Sequence, residues 1–288
     1  MGGKRKGVLF AVLASFMFGS SPVFVRLVFD FVNVETMNVL FSAFGSLFFA
    51  VFFAFFHGKV RFRSVITNWR KVALLSLLSA AGALLFTYGI FFFGPVNAVF
   101  LIQFAAVFTI IFGAVFFKER FTKLEGVGIL LAVAGVFILA YGDLTLEIVS
   151  TLVLLGAALF LASANLLSKV YVKNMNPLAL AGGNSLFMLL FITAYSVLSG
   201  RLETTFNPMA VAYSFFGAVT GAFLSYILFF KALEVFEVSK VATIRTMEPF
   251  LTAIFSFAIL ALVPTANQLA GGALIVIGVV VLSLTKGK

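Results

Sequence analysis

The sequence predicts an all-α integral membrane protein of ten transmembrane helices, arranged as two inverted five-helix repeats. Three observations predict it. Apolar residues come in long runs, many close to the roughly 18–20 residues that cross about 30 Å of hydrocarbon. One half of the chain recurs in the other at an offset of about 143 residues. Basic residues crowd one set of connections and leave the other set nearly free of them.

Composition excludes most other classes. Hydrophobic residues make up 62% of the 288 and charged residues 10%, where a soluble domain carries about 25% charged. Mean hydropathy is +1.18. These values leave no room for a soluble domain. The net charge of +10 could suit nucleic acid, but its placement in short connections assigns it to the membrane surface. Cysteine is absent and His57, in a basic loop, is the single histidine. Disulfides and thiol nucleophiles are therefore excluded, and a metal centre or other cofactor is not expected. H-E-x-x-H, G-x-S-x-G and Walker patterns are missing, which argues against an enzyme.

The elements follow in order. The first apolar run follows Met1-Gly-Gly-Lys-Arg-Lys. It is too long for a cleavable signal and ends without a small-residue cleavage site, so it is expected to be the first span. The expected spans are Gly7 to Val28, Thr36 to Phe56, Val72 to Phe93, Pro95 to Phe117 and Leu124 to Tyr141. The second five are Ile148 to Ser168, Leu178 to Leu198, Met209 to Phe230, Val241 to Val263 and Gln268 to Leu284. With the N-terminus inside, all but three of the 20 basic residues fall on inner segments. Arg201 alone lies in an outer loop; Arg26 and Arg245 lie within spans. The outer loops carry Asp30, Glu35, Asp143, Glu147 and Glu203 instead. Both termini are expected in the cytoplasm and the protein in the inner membrane. Five spans per copy is odd, so residues 146–288 must enter from the opposite side to residues 1–145. The inner loop from His57 to Lys71 carries Trp69 beside Arg70, which suits a headgroup anchor, with binding of anionic lipid as the alternative.

The repeat shows most clearly in two glycine-rich runs. Gly128-Ile-Leu-Leu-Ala-Val-Ala-Gly135 returns as Gly271-Gly-Ala-Leu-Ile-Val-Ile-Gly278. Glycines seven apart let helices approach closely. Gly128 and Gly271 are expected at such contacts, either inside the protein or on a dimer face. Monomer and homodimer both stay open.

The ninth span holds the sharpest candidates, Arg245, Glu248, Pro249, Thr252 and Ser256. Arg245 and Glu248 are three apart and share a helix face, which Thr252 and Ser256 continue. Glu248 lies about 12 Å in from Lys240 at about 1.5 Å per residue, close to the midplane. A charge there costs at least about 2.5–3.5 kcal/mol, so it is paired, hydrated or functional. Two uses are open: an intrahelical pair with Arg245 snorkelling inward, or a direct part in binding a substrate or proton. Pro249 frees the Arg245 carbonyl and is a candidate hinge, as is Pro22 in the first span. Asn97, Gln103, Asn165 and Asn184 are intramembrane amides that either cross-link helices or line the cavity. Tyr88 and Tyr226 offer hydroxyls to a cavity or to the interface. Arg26 can draw an anion to the outer mouth or snorkel to the headgroups.

The chain resembles the EamA-type permeases of the drug/metabolite transporter superfamily. The carrying residues are Phe18-Gly19-Ser20-Ser21 with Arg26, where that family has Trp-Gly and a basic residue. Met247-Glu248-Pro249-Phe250 is similar to its Glu-Pro signature. Lys118-Glu119-Arg120 and Leu124-Glu125-Gly126 open a glycine-rich fifth span in the same way. Three departures stand out. Phe18 replaces Trp; Gln103-Phe-Ala-Ala stands where a proline is common; no acidic residue follows the ninth span. The proline kink is therefore expected in the second half alone, with the halves moving unequally. The resemblance implies ten helices, a central cavity and export of small metabolites such as amino acids. Uptake or exchange of organic anions is the alternative, drawing on Arg26 and Arg245. A membrane-embedded enzyme or lipid-binding protein is the alternative of another class. The expected partners are a small-molecule substrate and the lipid bilayer, not nucleic acid.

Overall fold

In the computed structural model, residues 2–55, 63–117, 122–139, 144–171, 174–203, 207–233 and 244–285 are described, and their regular structure is helical. His57, Lys59, Lys118, Arg120, Lys240 and Lys286, which helped set the expected orientation, lie outside the described residues. Helix α1 is Gly2–Val28, α2 Val34–Phe55, α3 the short Arg63–Thr67 and α4 Trp69–Ile102. Then come α5 (Ala105–Phe117), α6 (Lys123–Leu139), α7 (Leu144–Tyr171) and α8 (Pro177–Leu198). Helix α9 (Pro208–Ala218) runs through a π-helical segment, Val219–Leu224, into α10 (Ser225–Leu233). Helices α11 (Glu248–Leu260) and α12 (Ala266–Thr285) complete the described chain.

Among the described residues, six stretches are long and apolar enough to cross a bilayer, and shorter apolar helices accompany them. One of the six, Trp69–Thr109, has 41 residues. As a straight helix it would be about 60 Å long, twice the hydrocarbon thickness. It is broken at Gly94, whose φ of 77° and ψ of 162° suit glycine alone. Pro95 then restarts the helix, since its missing N–H is no loss in a first turn. The break falls between Phe93 and Pro95, where the third and fourth apolar runs part.

Helix starts are set by local chemistry. Asn33 Oδ1 accepts from the Thr36 amide at 2.8 Å and so caps α2. Asn176 and Asn207, each followed by Pro, cap α8 and α9 through their side-chain oxygens. Thr122 with Glu125 and Thr265 with Gln268 form reciprocal capping boxes on α6 and α12.

Both halves carry an interruption at the same repeat position. The fourth run breaks at Gln103 and Phe104, with amides bonding three residues back, Gln103 to Phe100 and Phe104 to Leu101. The ninth run breaks at Thr246 and Met247, with Met247 bonding back to Ile244. Adding the repeat offset to Gln103 and Phe104 gives Thr246 and Met247. The expectation concerned a proline kink in the second half alone; the first half adds an interruption made without proline. Proline strengthens the second break, but a tightened turn with three-residue bonds makes the first without one.

Packing explains the glycines. A Cβ on Gly128 would lie 2.8 Å from the Gly278 carbonyl oxygen, and one on Gly278 would lie 2.5 Å from the Gly128 carbonyl oxygen. Gly135 and Gly271 face each other in the same way, at 2.5 and 2.7 Å. Helices α6 and α12 thus pack antiparallel, backbone on backbone, inside the protein. Helices α2 and α8, also repeat partners, run antiparallel too. Ser46 Oγ donates to the Ser185 carbonyl at 3.0 Å, and Phe53 further along α2 covers Gly182, earlier in α8.

Candidate functional site

The charges of the ninth run sit at the start of α11, against α1 and α10. Arg245 Nε donates to Glu248 Oε1 at 2.5 Å, and Nη2 donates to Oε2 at 3.4 Å. The two carboxylate oxygens and two guanidinium nitrogens make a fork-to-fork pair. Glu248 is in the first turn of α11, where the helix dipole favours a negative charge. Its side chain is 6% exposed and that of Arg245 is 30% exposed. Arg245 therefore retains an opening that Glu248 lacks.

Aromatic rings flank that opening. The Arg245 guanidinium carbon lies 5.1 Å from the Phe18 ring centre and 4.9 Å from that of Phe229. Both are cation–π distances. Ala14, Phe18, Ser225, Tyr226, Phe229 and Arg245 line a narrow cleft. Its wall on α10 follows directly on the π-helical segment; such segments are frequent at functional sites. The arrangement holds a cation, a carboxylate and aromatic faces within one apolar bundle.

Helix α1 reaches this site through Phe18 and Gly19, and the neighbouring α9 and π-helical segment through Ser21. Phe18 covers Arg245. A Cβ on Gly19 would lie 2.9 Å from Leu251 Cβ and 3.2 Å from the Glu248 carbonyl oxygen. Ser21 Oγ donates to the Gly217 carbonyl at 3.1 Å, and Ser21 also fills the space over Gly221. Ser20 bonds back to the Met17 carbonyl. Pro22 sits within α1 without ending it.

The remaining candidates are placed elsewhere. Thr252 is fully buried and donates to the Gly19 carbonyl at 2.8 Å, so it ties α11 to α1. Ser256 is buried on the same side, its hydroxyl without a partner among the described residues. Pro249 is buried at the first turn of α11. Asn97 Nδ2 donates to the Phe93 carbonyl, and its Oδ1 is buried without a partner among the described residues, as is Gln103 Nε2. Asn184 makes a long contact to Met188 Sδ at 3.5 Å. Asn165 is exposed on α7. Arg26 pairs with Asp30 at 3.1 Å, both partly exposed.

Tyr88 belongs to a second cluster that the sequence did not single out. Its hydroxyl donates to Glu35 Oε1. Arg201 Nη1 donates to the same oxygen at 3.1 Å and to the Tyr88 hydroxyl at 3.3 Å. The Glu35 carboxylate and the Tyr88 hydroxyl hold the Arg201 guanidinium above its ordinary range. Glu35 reads in the sequence as one more loop acid, yet it is 2% exposed.

Of the candidate residues, the structure brings Arg245, Glu248 and Tyr226 together. Sequence reasoning missed Phe18 and Phe229 as their neighbours. With 40 phenylalanines in the chain, neither ring stands out. The small-residue spacing Gly217-x-x-x-Gly221 marks where α1 closes on α9 and the π-helical segment, but it points to neither ring.

A solved crystal structure aligns with 97% of this chain and 96% of its own at a TM-score of 0.68. At 14% identity that likeness shows the fold alone. A curated relative from Archaeoglobus fulgidus, named an uncharacterized transporter, is 28% identical over 195 residues. Another of the same name, from Methanothermobacter thermautotrophicus, is 26% identical over 213 residues. The matches cover 64% and 70% of this chain and 65% and 61% of those relatives, short of two thirds of their lengths. The family model of the EamA-like transporters matches twice, over residues 5–141 and 149–284, which together span nearly the whole chain. The chain is therefore a two-repeat member of the EamA-like transporter family.

Proposed function

We propose that this transporter exports small zwitterionic metabolites, amino acids foremost, by alternating access through ten helices in two inverted repeats. The observation that carries the reading is the Arg245–Glu248 pair at the aromatic cleft. An α-amino acid presents a carboxylate and an ammonium a few ångströms apart, and the pair offers the opposite charge to each. The rings of Phe18, Phe229 and Tyr226 suit an apolar side chain. The antiparallel packing of α6 on α12 and of α2 on α8 supports inverted halves, because these helices are repeat partners. The paired interruptions at Gln103 and Thr246 support broken helices near the midplane, as in many secondary transporters. Uptake of organic anions is the second reading, favoured by the 30% exposure of Arg245 against 6% for Glu248.

The test is counterflow of labelled metabolites in proteoliposomes. Exchange of an amino acid, with none of dicarboxylates or sugar phosphates, is the expected result. Exchange of anions alone would replace the first reading with the second.

Orientation is a separate prediction. The inner-membrane protein is expected with both termini and the His57–Lys71 loop in the cytoplasm. In this cysteine-free chain, an impermeant maleimide should reach Asp30→Cys on intact cells and miss Lys59→Cys until the membrane is opened. The reverse pattern would overturn the topology.

A further inference from the structure

We propose that Glu35, Tyr88 and Arg201 form a latch that closes one face of the transporter by tying the first repeat to the second. The face is the one carrying the α1–α2 and α8–α9 connections, outer on the orientation proposed above.

The bonds that cross between the repeats are several and mutually supporting. Arg201, just after α8, reaches Glu35 on α2 and Tyr88 on α4. Asn33 Nδ2 donates to the Arg201 carbonyl at 2.6 Å, and the Asn33 amide donates to Glu203 Oε1 at 3.2 Å. The Glu203 amide donates in return to Thr36 Oγ1 at 2.9 Å. Asn33 and Thr36 are also the capping pair of α2, so the start of that helix is held to the second repeat by its own cap. Gly200, in the left-handed conformation at φ 66°, turns the chain after α8 and brings Arg201 into place.

The cluster works as a closure because of its burial. The side chain of Glu35 is 3% exposed and that of Arg201 62% exposed. An exposed arginine thus covers a buried carboxylate. Parting the two repeats here would leave Glu35 without its cation, and water would have to enter to solvate it. Opening is costly but reversible, as a gate requires.

The repeat argues that this closure is one-sided. At the same offset, Glu35 corresponds to Leu178 and Tyr88 to Lys231. A leucine and a lysine cannot rebuild the carboxylate–phenol pair at the opposite face. An exchange of roles between the halves would therefore give a second closed face without this latch. The resting state is biased toward closure at the latched face.

The latch rests on the alternating-access reading, and its test uses no substrate, so either can fail without the other. A reporter, Ser42→Cys, is placed on α2 about 10 Å inward from Glu35 at about 1.5 Å per residue. Ser42 is buried and bonds to its own helix at the Asn38 carbonyl. Labelling of the reporter by an impermeant maleimide is timed on intact cells. Arg201→Ala and Tyr88→Phe should each speed labelling about tenfold, the scale of one charge-assisted hydrogen bond in an open–closed equilibrium. An oxidised Thr36→Cys/Glu203→Cys pair, added to either variant, should return the rate to that of the reporter alone. Unchanged rates in both variants would overturn the latch. So would faster labelling that the cross-link does not reverse, because that marks local loosening. If Arg201→Ala does not reach the membrane, Tyr88→Phe, which keeps the ring, decides.

Discussion

Glu248→Gln is expected to leave a folded protein whose transport falls at least about tenfold, the scale of a lost charge-assisted contact. The magnitude of the accompanying stability loss separates two roles. Removing one partner of a fully buried ion pair costs about 3–5 kcal/mol, while an exposed pair contributes about 0–1 kcal/mol. Arg245 lies between these limits. Its side chain is 30% exposed, it opens on the cleft, and two aromatic rings remain stacked on it in the variant. The expected cost is therefore about 1–2 kcal/mol, readable as a small drop in melting temperature. Flux and melting temperature are measured on one preparation. Wild-type flux in the variant would remove Glu248 from the binding site. A large loss of stability, with flux falling only as folded protein is lost, would make the pair purely structural. Arg245→Lys is the companion variant. It keeps the charge and loses the planar fork, so flux should fall while the carboxylate keeps a cation.

Gly135→Leu is expected to abolish most of the folded yield. A Cβ there would lie 2.5 Å from the Gly271 carbonyl oxygen and 2.8 Å from the Ile275 amide nitrogen. These are backbone atoms of the facing helix, which no rotamer change can move aside. Overpacking against mobile side chains costs about 1–3 kcal/mol, and a leucine against a helix backbone should exceed that range. Relief requires α6 and α12 to part, which undoes the other close pair, Gly128 with Gly278. Gly156 on α7 is the control. Its nearest neighbour is a Leu85 methyl at 3.5 Å, an ordinary contact. Gly156→Ala should be neutral or gain up to about 1 kcal/mol from helix propensity. Size-exclusion yield in mild detergent reads both. A Gly135→Leu protein of normal yield, with a changed substrate profile, would contradict the packing role.

Several features were legible because their cause is local or periodic. Hydrophobic runs report the solvent around a helix. The repeat offset brought out the paired glycines, and seven-residue spacing put each pair on one helix face. Arg245 and Glu248 are three apart, so their pairing needs only the helix that carries both. Pro249 announced the second interruption in the same way. The first interruption, at Gln103 and Phe104, has no such residue, and its bonds appear only once the backbone is traced.

The sequence by itself determined the membrane class, the duplication and the glycine faces, since each depends on composition or on spacing along one helix. The tertiary structure decided which faces meet. Arg201 and Glu35 are 166 residues apart, and Phe18 reaches Arg245 across a boundary between the halves. Such contacts depend on how each helix is rotated and where it crosses its neighbours. In lipid that is set by shape and a few polar bonds rather than by burial of apolar surface, so hydrophobic patterning does not reveal it.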